Sequence, residues 1–228
     1  GPVIDLAREP RWSRVEETYG EDTYLTSQMA AAMVKGTSPK HNGWDKGVIS
    51  TLKHFVAYGI PEGGHNGNPS NVGERDLHEN FLPAFQAAVD AGALSVMTSY
   101  NSIDGVPSTG NPELLRRILK EEWGFDGFVV SDLVSIDGLF SDHHIAKDKE
   151  DAGIIAMNAG VDVDLGANCY VLLKEAVETG KIKASVINEA VARVLRLKFE
   201  LGLFDNPYVD PDYAEAEVRK AENVAVAR

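Results

Sequence analysis

The chain is poor in cysteine, in basic residues and in long apolar runs, and each shortage excludes something. Cys169 is the only cysteine in 228 residues, so no disulfide can close within the chain. Lys and Arg number 22 against 35 Asp and Glu, a formal net charge of -13. Such a surface repels phosphate backbones and no basic run offsets it, so no nucleic acid partner is expected. No apolar stretch approaches the roughly 20 residues that a membrane span requires. The N-terminus also lacks the basic, apolar and small-residue succession of a signal peptide. No membrane partner is expected. The compartment stays open, because the chain reads as beginning inside a domain; a periplasmic or extracellular location is favoured over a cytoplasmic one. Signals for metals and nucleotides are missing too. The pair His143-His144 is not spaced i, i+4 on a helix with a carboxylate, as zinc sites of that kind need. The glycine-rich loop lacks a P-loop lysine and has the wrong spacing for a dinucleotide fingerprint. Neither a metal nor a cofactor is expected.

Hydrophobic residues, 43% of the total, are spread along the whole length, as in a globular domain. Five β-rich segments recur, Val3 to Ala7, Val48 to Phe55, Ala93 to Tyr100, Gly127 to Asp132 and Gly160 to Leu165, each followed by a helical pattern. Strands alternating with helices indicate parallel βα units. The near-continuous apolar content of VVSD and SVMTSY fits strands covered on both faces.

Asn111 and Pro112 read as the cap and first position of a helix whose Leu115, Ile118 and Leu119 form one stripe, with Gly124 past its end. Ser185 opens another, with Ile187, Val191, Val194, Leu195 and Phe199 on one side and Gly202 as the stop. Glu74 to Gly92 is helical, with Pro83 expected to kink or divide it. His41 to Lys46 is a polar turn. Gly59 to Gly73 holds five glycines and two prolines and reads as a long loop directly after a strand, a fit place for a site rim. After Pro207 and Pro211 the tail becomes a charged, alanine-rich helix with a weak apolar face, which suits a connector.

Polar groups gather where the strands end: Arg8, Arg11 and Arg14 after the first, Lys53 and His54 in the second, Tyr100 and Asn101 after the third, Asp132 after the fourth. In a parallel barrel these ends meet at one mouth. Each has a plainer alternative. Ser131 or Asp132 can cap a helix, Lys53-His54 can be a solvated strand end, and Tyr100 can be a core residue with a wet hydroxyl. For Arg8 and Arg11 a structural cluster with Glu16, Glu17, Glu21 and Asp22 is the favoured reading.

The ordered set AREPRWSR, STLKHF, SVMTSYN with a Gly105 to Pro107 turn, and EEWGFDGFVVSD resembles glycoside hydrolase family 3, a β-glucosidase-like family. GERDLHENFLPAF, AGVDVDL and LGLFDNPYVD extend the resemblance over almost the whole chain. It implies an α/β fold of the TIM (β/α)8 type, incomplete here at about five βα units, with residues 1–208 part of the catalytic barrel and 209–228 the start of a linker to a second α/β domain. It implies a retaining hydrolase that removes non-reducing terminal β-D-glucosyl or related β-linked residues from an oligosaccharide or glucoside. Asp132 maps to the nucleophile, Arg14, Lys53 and His54 to residues that hold sugar hydroxyls, and Tyr100 to the tyrosine beside the nucleophile. A retaining enzyme needs one ionised carboxylate and a second, protonated carboxyl about 5 Å away. In most β-glucosidases of the family that acid/base lies in the second domain, so it is expected outside this chain, and the chain alone is expected not to turn over substrate efficiently.

Two positions depart from the family pattern. Ser13 stands where glycine is usual, and Leu133 stands where an aromatic residue commonly follows the aspartate, removing part of an aromatic wall. A full barrel takes about 250 residues and eight strands, whereas this chain resembles the family from its third strand onward, so early strands are expected to be missing. Three other readings compete. A β-N-acetylglucosaminidase would use an Asp-x-His pair near His65, but Gly63 precedes it at the aspartate's place. A Schiff-base aldolase would use Lys53 as nucleophile. The third is a sugar-binding remnant without catalysis.

Overall fold

A computed structural model describes residues 1–227. Strands β1 (Thr51–Phe55), β2 (Ser95–Thr98), β3 (Ser102–Ile103), β4 (Val106–Pro107) and β5 (Phe128–Val130) form two sheets. β1, β2 and β5 lie parallel in that order, and β3 with β4 makes a small antiparallel hairpin after β2. Two further segments flank the parallel sheet. Val3 bridges Lys53 on one side and Val163 bridges Val130 on the other, both parallel. The result is an array of parallel segments in chain order with helices between them, a partial (β/α) barrel as the sequence implied.

The two outer segments are shorter than the strands expected at Val3 to Ala7 and Gly160 to Leu165, and side chains explain why. Ile4 N–H reaches Lys53 C=O at 2.8 Å, but the next donor, His54 N–H, is taken by both carboxylate oxygens of Asp5 at 3.2 Å. On the other flank Val129 N–H goes to Asp162 Oδ2 at 2.8 Å, and Leu165 N–H goes to Ser131 Oγ at 2.9 Å. Side-chain oxygens replace the carbonyls of a regular ladder, so pairing is kept while strand geometry is lost.

Close packing at the sheet demands glycine at two places. A Cβ on Gly127, just before β5, would lie 2.2 Å from Leu94 C=O, and one on Gly59 would lie 2.1 Å from Leu6 C=O. The core is formed by Leu52, Phe55, Val96 and Val129 of the strands with Phe81, Phe85, Leu115, Ile118 and Leu119 of the covering helices. Asn111 caps its helix as expected, its Oδ1 accepting from Glu113 and Leu114 N–H. The helical run 74–90 is divided just ahead of Pro83, as the proline predicts: α-helix Glu74–Asp76 passes into a π turn, Leu77–Phe81, and a new α-helix, Leu82–Asp90, opens with Pro83 in its first turn. That wide turn, with Leu82 N–H bonded to Leu77 C=O, places Pro83 where its missing N–H is harmless.

Helix Ala184–Glu200 corrects the sequence reading. It begins before Ser185, which makes no cap bond, and its inward side chains are Ala190 and Leu197. Val191, Leu195 and Phe199 are 48%, 40% and 63% exposed. The stripe is only partly a packing face: Ile187 packs against the cluster of Met157, Leu173 and Ala190 and Phe199 lies 4.3 Å from the Phe204 ring, while Val191 and Leu195 face outward. The tail forms two short exposed helices, Pro211–Glu217 and Ala221–Val226, in place of the single helix expected, with Arg219 in the left-handed region between them. No described helix is long and apolar enough to cross a membrane.

Helix Ala184–Glu200 is tied to the sheet by charge. Asp162 is paired with Lys120 and Arg193, each at 3.0 Å, while its backbone N–H bonds Val129 C=O at 2.8 Å. The Asp162 side chain is 2% exposed and that of Lys120 9%. Asp162→Ala would strand a buried ammonium and a guanidinium, and is expected to cost about 3–5 kcal/mol in denaturant unfolding. Burial pushes the Lys120 ammonium down to about 8, against the opposing pull of Asp162. The unfolded chain keeps that proton to about pH 10.4, so between these values it binds more protons than the folded chain and the unfolding free energy rises with pH. The expected gain from this group is at most about 3 kcal/mol, and Lys120→Met should flatten that part of a stability profile measured from pH 7 to 10.5.

Candidate active site

The strand ends do converge. Asp132 follows β5 and is 8% exposed; His54 lies in β1 and is 1% exposed. Asp132 Oδ1 accepts from Leu133 N–H at 2.7 Å, and Asp132 N–H points to Thr98 Oγ1 at 3.4 Å. The other oxygen, Oδ2, lies 3.6 Å from His54 Nε2 and has no hydrogen-bond partner among the described residues. A buried carboxylate oxygen without a donor is costly and needs an explanation.

His54 is held from both sides. Its Nδ1 is 2.8 Å from Asp5 Oδ2, and its Nε2 is 3.1 Å from Arg14 Nη2. A guanidinium only donates, so Nε2 is the acceptor and the ring N–H sits on Nδ1, directed at Asp5. Arg14 makes a bidentate pair with Glu17 at 2.7 and 2.8 Å and lies over the Tyr58 ring at 5.5 Å. That pair, with the charges of Arg14 and Lys53 adding to it, holds the Glu17 carboxyl below its ordinary value, and Glu17 in turn raises Arg14. Lys53 makes no side-chain hydrogen bond or ion pair among the described residues.

Tyr100 stands beside Asp132. Its hydroxyl donates to Leu133 C=O at 2.9 Å, and burial followed by the negative charge of Asp132 pushes its pKa up. Next to it opens a hollow of about 550 Å³ whose lining includes Asn66, Gly67, Leu133, Ser135 and His143. Leu133 is 55% exposed there, where an aromatic side chain would have formed a wall.

The structure therefore brings Arg14, His54 and Asp132 into direct succession, sets Lys53 in the charge field of Glu17, and joins Tyr100 to the group through Leu133. It leaves Arg8 and Arg11 outside. Arg8 donates to Glu21 C=O, Thr23 and Asn80, and Arg11 pairs with Glu9. Of the acidic residues expected as partners for the arginines, Glu17 alone forms an ion pair among the described residues, and it does so with Arg14. His65 is exposed and has no carboxylate partner among the described residues.

Three residues central to this geometry escaped the sequence reading: Asp5, Tyr58 and Asn66. Tyr58 is fully buried and meets Trp12 and His54 edge to face at centroid distances of 5.1 and 5.0 Å. Asn66 Oδ1 accepts from both Tyr58 Oη at 2.7 Å and Trp12 Nε1 at 2.9 Å, pinning the long loop to the site. The only sequence signal for Asp5 was an acidic residue inside an apolar segment.

Residues 1–197 match the family model described as the glycosyl hydrolase family 3 N terminal domain. The chain belongs to glycosyl hydrolase family 3. Among curated relatives, a putative β-xylosidase of Formosa agariphila is 41% identical over 100% of this chain and 31% of its own length. A periplasmic β-glucosidase of Salmonella typhimurium is 38% identical over the same shares. A solved family 3 relative, a mutant β-glucosidase of Listeria innocua in complex with laminaribiose, superposes with a TM-score of 0.93 at 38% identity, covering 97% of this chain and 31% of that one. The chain thus spans about 31% of the length of these family 3 proteins.

Replacing Asn66 by Ala would leave the buried Tyr58 hydroxyl and Trp12 indole N–H without their acceptor. The expected loss is about 2 kcal/mol in thermal or denaturant unfolding, with faster proteolysis in the Glu62 to Pro69 loop.

Proposed function

We propose that this chain carries the nucleophile half of a retaining glycoside hydrolase, acting on non-reducing terminal β-D-glucosyl or related β-linked residues. The unpartnered Oδ2 of Asp132 carries the reading. It is a carboxylate oxygen at the C-terminal end of a parallel strand, where barrel chemistry is sited, held by Leu133 N–H at its other oxygen and left free to attack. Arg14, Lys53 and His54 face the same mouth and would hold sugar hydroxyls, and Tyr100 would pack against the reacting centre.

The second carboxyl of the pair is assigned to polypeptide outside this chain. Glu17 is unsuited to the role, because the Arg14 pair keeps it ionised and a general acid must carry a proton. Residues 1–208 would then form the barrel portion and 209–228 a connector, in keeping with the exposed helices there. The relative named periplasmic supports a periplasmic or extracellular setting. Relatives named for glucosides and for xylosides both match, so glucose and xylose are the two sugars to compare. His65, exposed and without a carboxylate partner among the described residues, argues against the N-acetylglucosaminidase reading.

The test is covalent. In the full-length protein, a 2-deoxy-2-fluoro-β-glucoside with a dinitrophenolate leaving group should add one glycosyl unit to the peptide bearing Asp132, and Asp132→Asn should abolish labelling while lowering kcat/KM by at least about a thousandfold. Label on another carboxylate would overturn the assignment. Aryl β-glucoside against aryl β-xyloside turnover then ranks the sugars, and efficient disaccharide hydrolysis by the 228-residue chain alone would overturn the placement of the acid/base.

A further inference from the structure

Asp5 is 2% exposed, and no substrate atom can reach it behind His54. Its two oxygens face one residue. Both lie 3.2 Å from His54 N–H, and Oδ2 is also 2.8 Å from Nδ1. Backbone and ring of His54 are thereby fixed by one carboxylate. Because Arg14 can only donate, the ring has its single N–H on Nδ1 and its lone pair on Nε2, 3.6 Å from the free oxygen of Asp132.

We propose that Asp5 is a positioning residue that acts through His54, setting its tautomer so that Nε2 presents an acceptor to the site. The inference rests on the reading of Asp132 as the attacking group. It also defines what the site takes: a sugar with a free hydroxyl that donates to Nε2, as Arg14 does in this structure. A deoxy or O-methyl sugar at that carbon loses the bond.

An amide at position 5 cannot substitute. If its oxygen keeps the Nδ1–H bond, its NH2 faces His54 N–H, donor against donor. If the amide turns over, its NH2 faces Nδ1, the ring proton moves to Nε2, and an N–H then opposes the Arg14 guanidinium at 3.1 Å. Asp5→Asn thus changes the hydrogen-bond sense at Nε2 with almost no change of shape.

The experiment is a double-mutant cycle in the full-length protein, read as kcat and KM on an aryl β-glycoside and on analogues lacking one hydroxyl each. Asp5→Ala and His54→Ala should each lower kcat/KM by about 10- to 100-fold, the range for groups that orient a ligating histidine. The double variant should fall within about threefold of His54→Ala alone. One hydroxyl whose removal costs activity in the wild type should cost little in either variant, and it should be the same hydroxyl in both. Asp5→Asn should behave as Asp5→Ala in this discrimination, and, keeping the size of the side chain, it replaces Asp5→Ala should that variant fail to fold. Additive losses with unchanged hydroxyl discrimination would overturn the inference and leave Asp5 a structural residue. Fluoro-glycoside labelling of the wild type separates the two layers: label at Asp132 with an additive cycle removes only the role of Asp5, whereas label elsewhere removes both.

Discussion

The contact between Asp5 and His54 joins the first parallel segment to β1 at the depth where the site begins. One buried carboxylate ends the ladder, takes the backbone N–H that the ladder would have used, and orients the ring that faces Asp132. Arg14 closes the arrangement from the other side of the ring, and Glu17 fixes Arg14. Ion pairs of this kind have little net worth when exposed. Here His54 is buried at the centre, and the cost of breaking any link is the orphaned partner left behind.

The opposite flank of the sheet is built on the same plan. Asp162 holds both the N–H and, through its own backbone, the C=O of Val129, three residues before Asp132, and anchors two cations from neighbouring helices. The position of Asp132 is therefore set from both edges of the sheet by acidic side chains doing the work of strand carbonyls. Gly127 and Gly59 complete the constraint sterically, since neither has room for a Cβ.

Much of this was legible because polar residues interrupt apolar runs. His54, Tyr100 and Asp132 stand out at strand ends, and the βα alternation gives the parallel order that brings them together. Asp5 is not legible, because it lies within a segment rather than at a strand end, and a carboxylate there announces no partner. Tyr58 reads as core, and its role with Asn66 depends on a loop path that composition does not specify. The stripe on helix Ala184–Glu200 was misjudged in part for a different reason: periodicity locates a face but not what lies against it, and the inward positions went to Ala190, Leu197 and the Asp162 partner Arg193. The outer strands were overestimated because β propensity does not register side chains that capture ladder donors.

The order of the parallel segments has a bearing on how the protein is made. Each segment pairs with the one synthesised before it, so the partner of every new strand has already left the ribosome. Asp5 emerges first, then Arg14, His54 and Tyr100, and Asp132 last among them. Vectorial synthesis thus delivers Asp132 after every one of the side chains that face it.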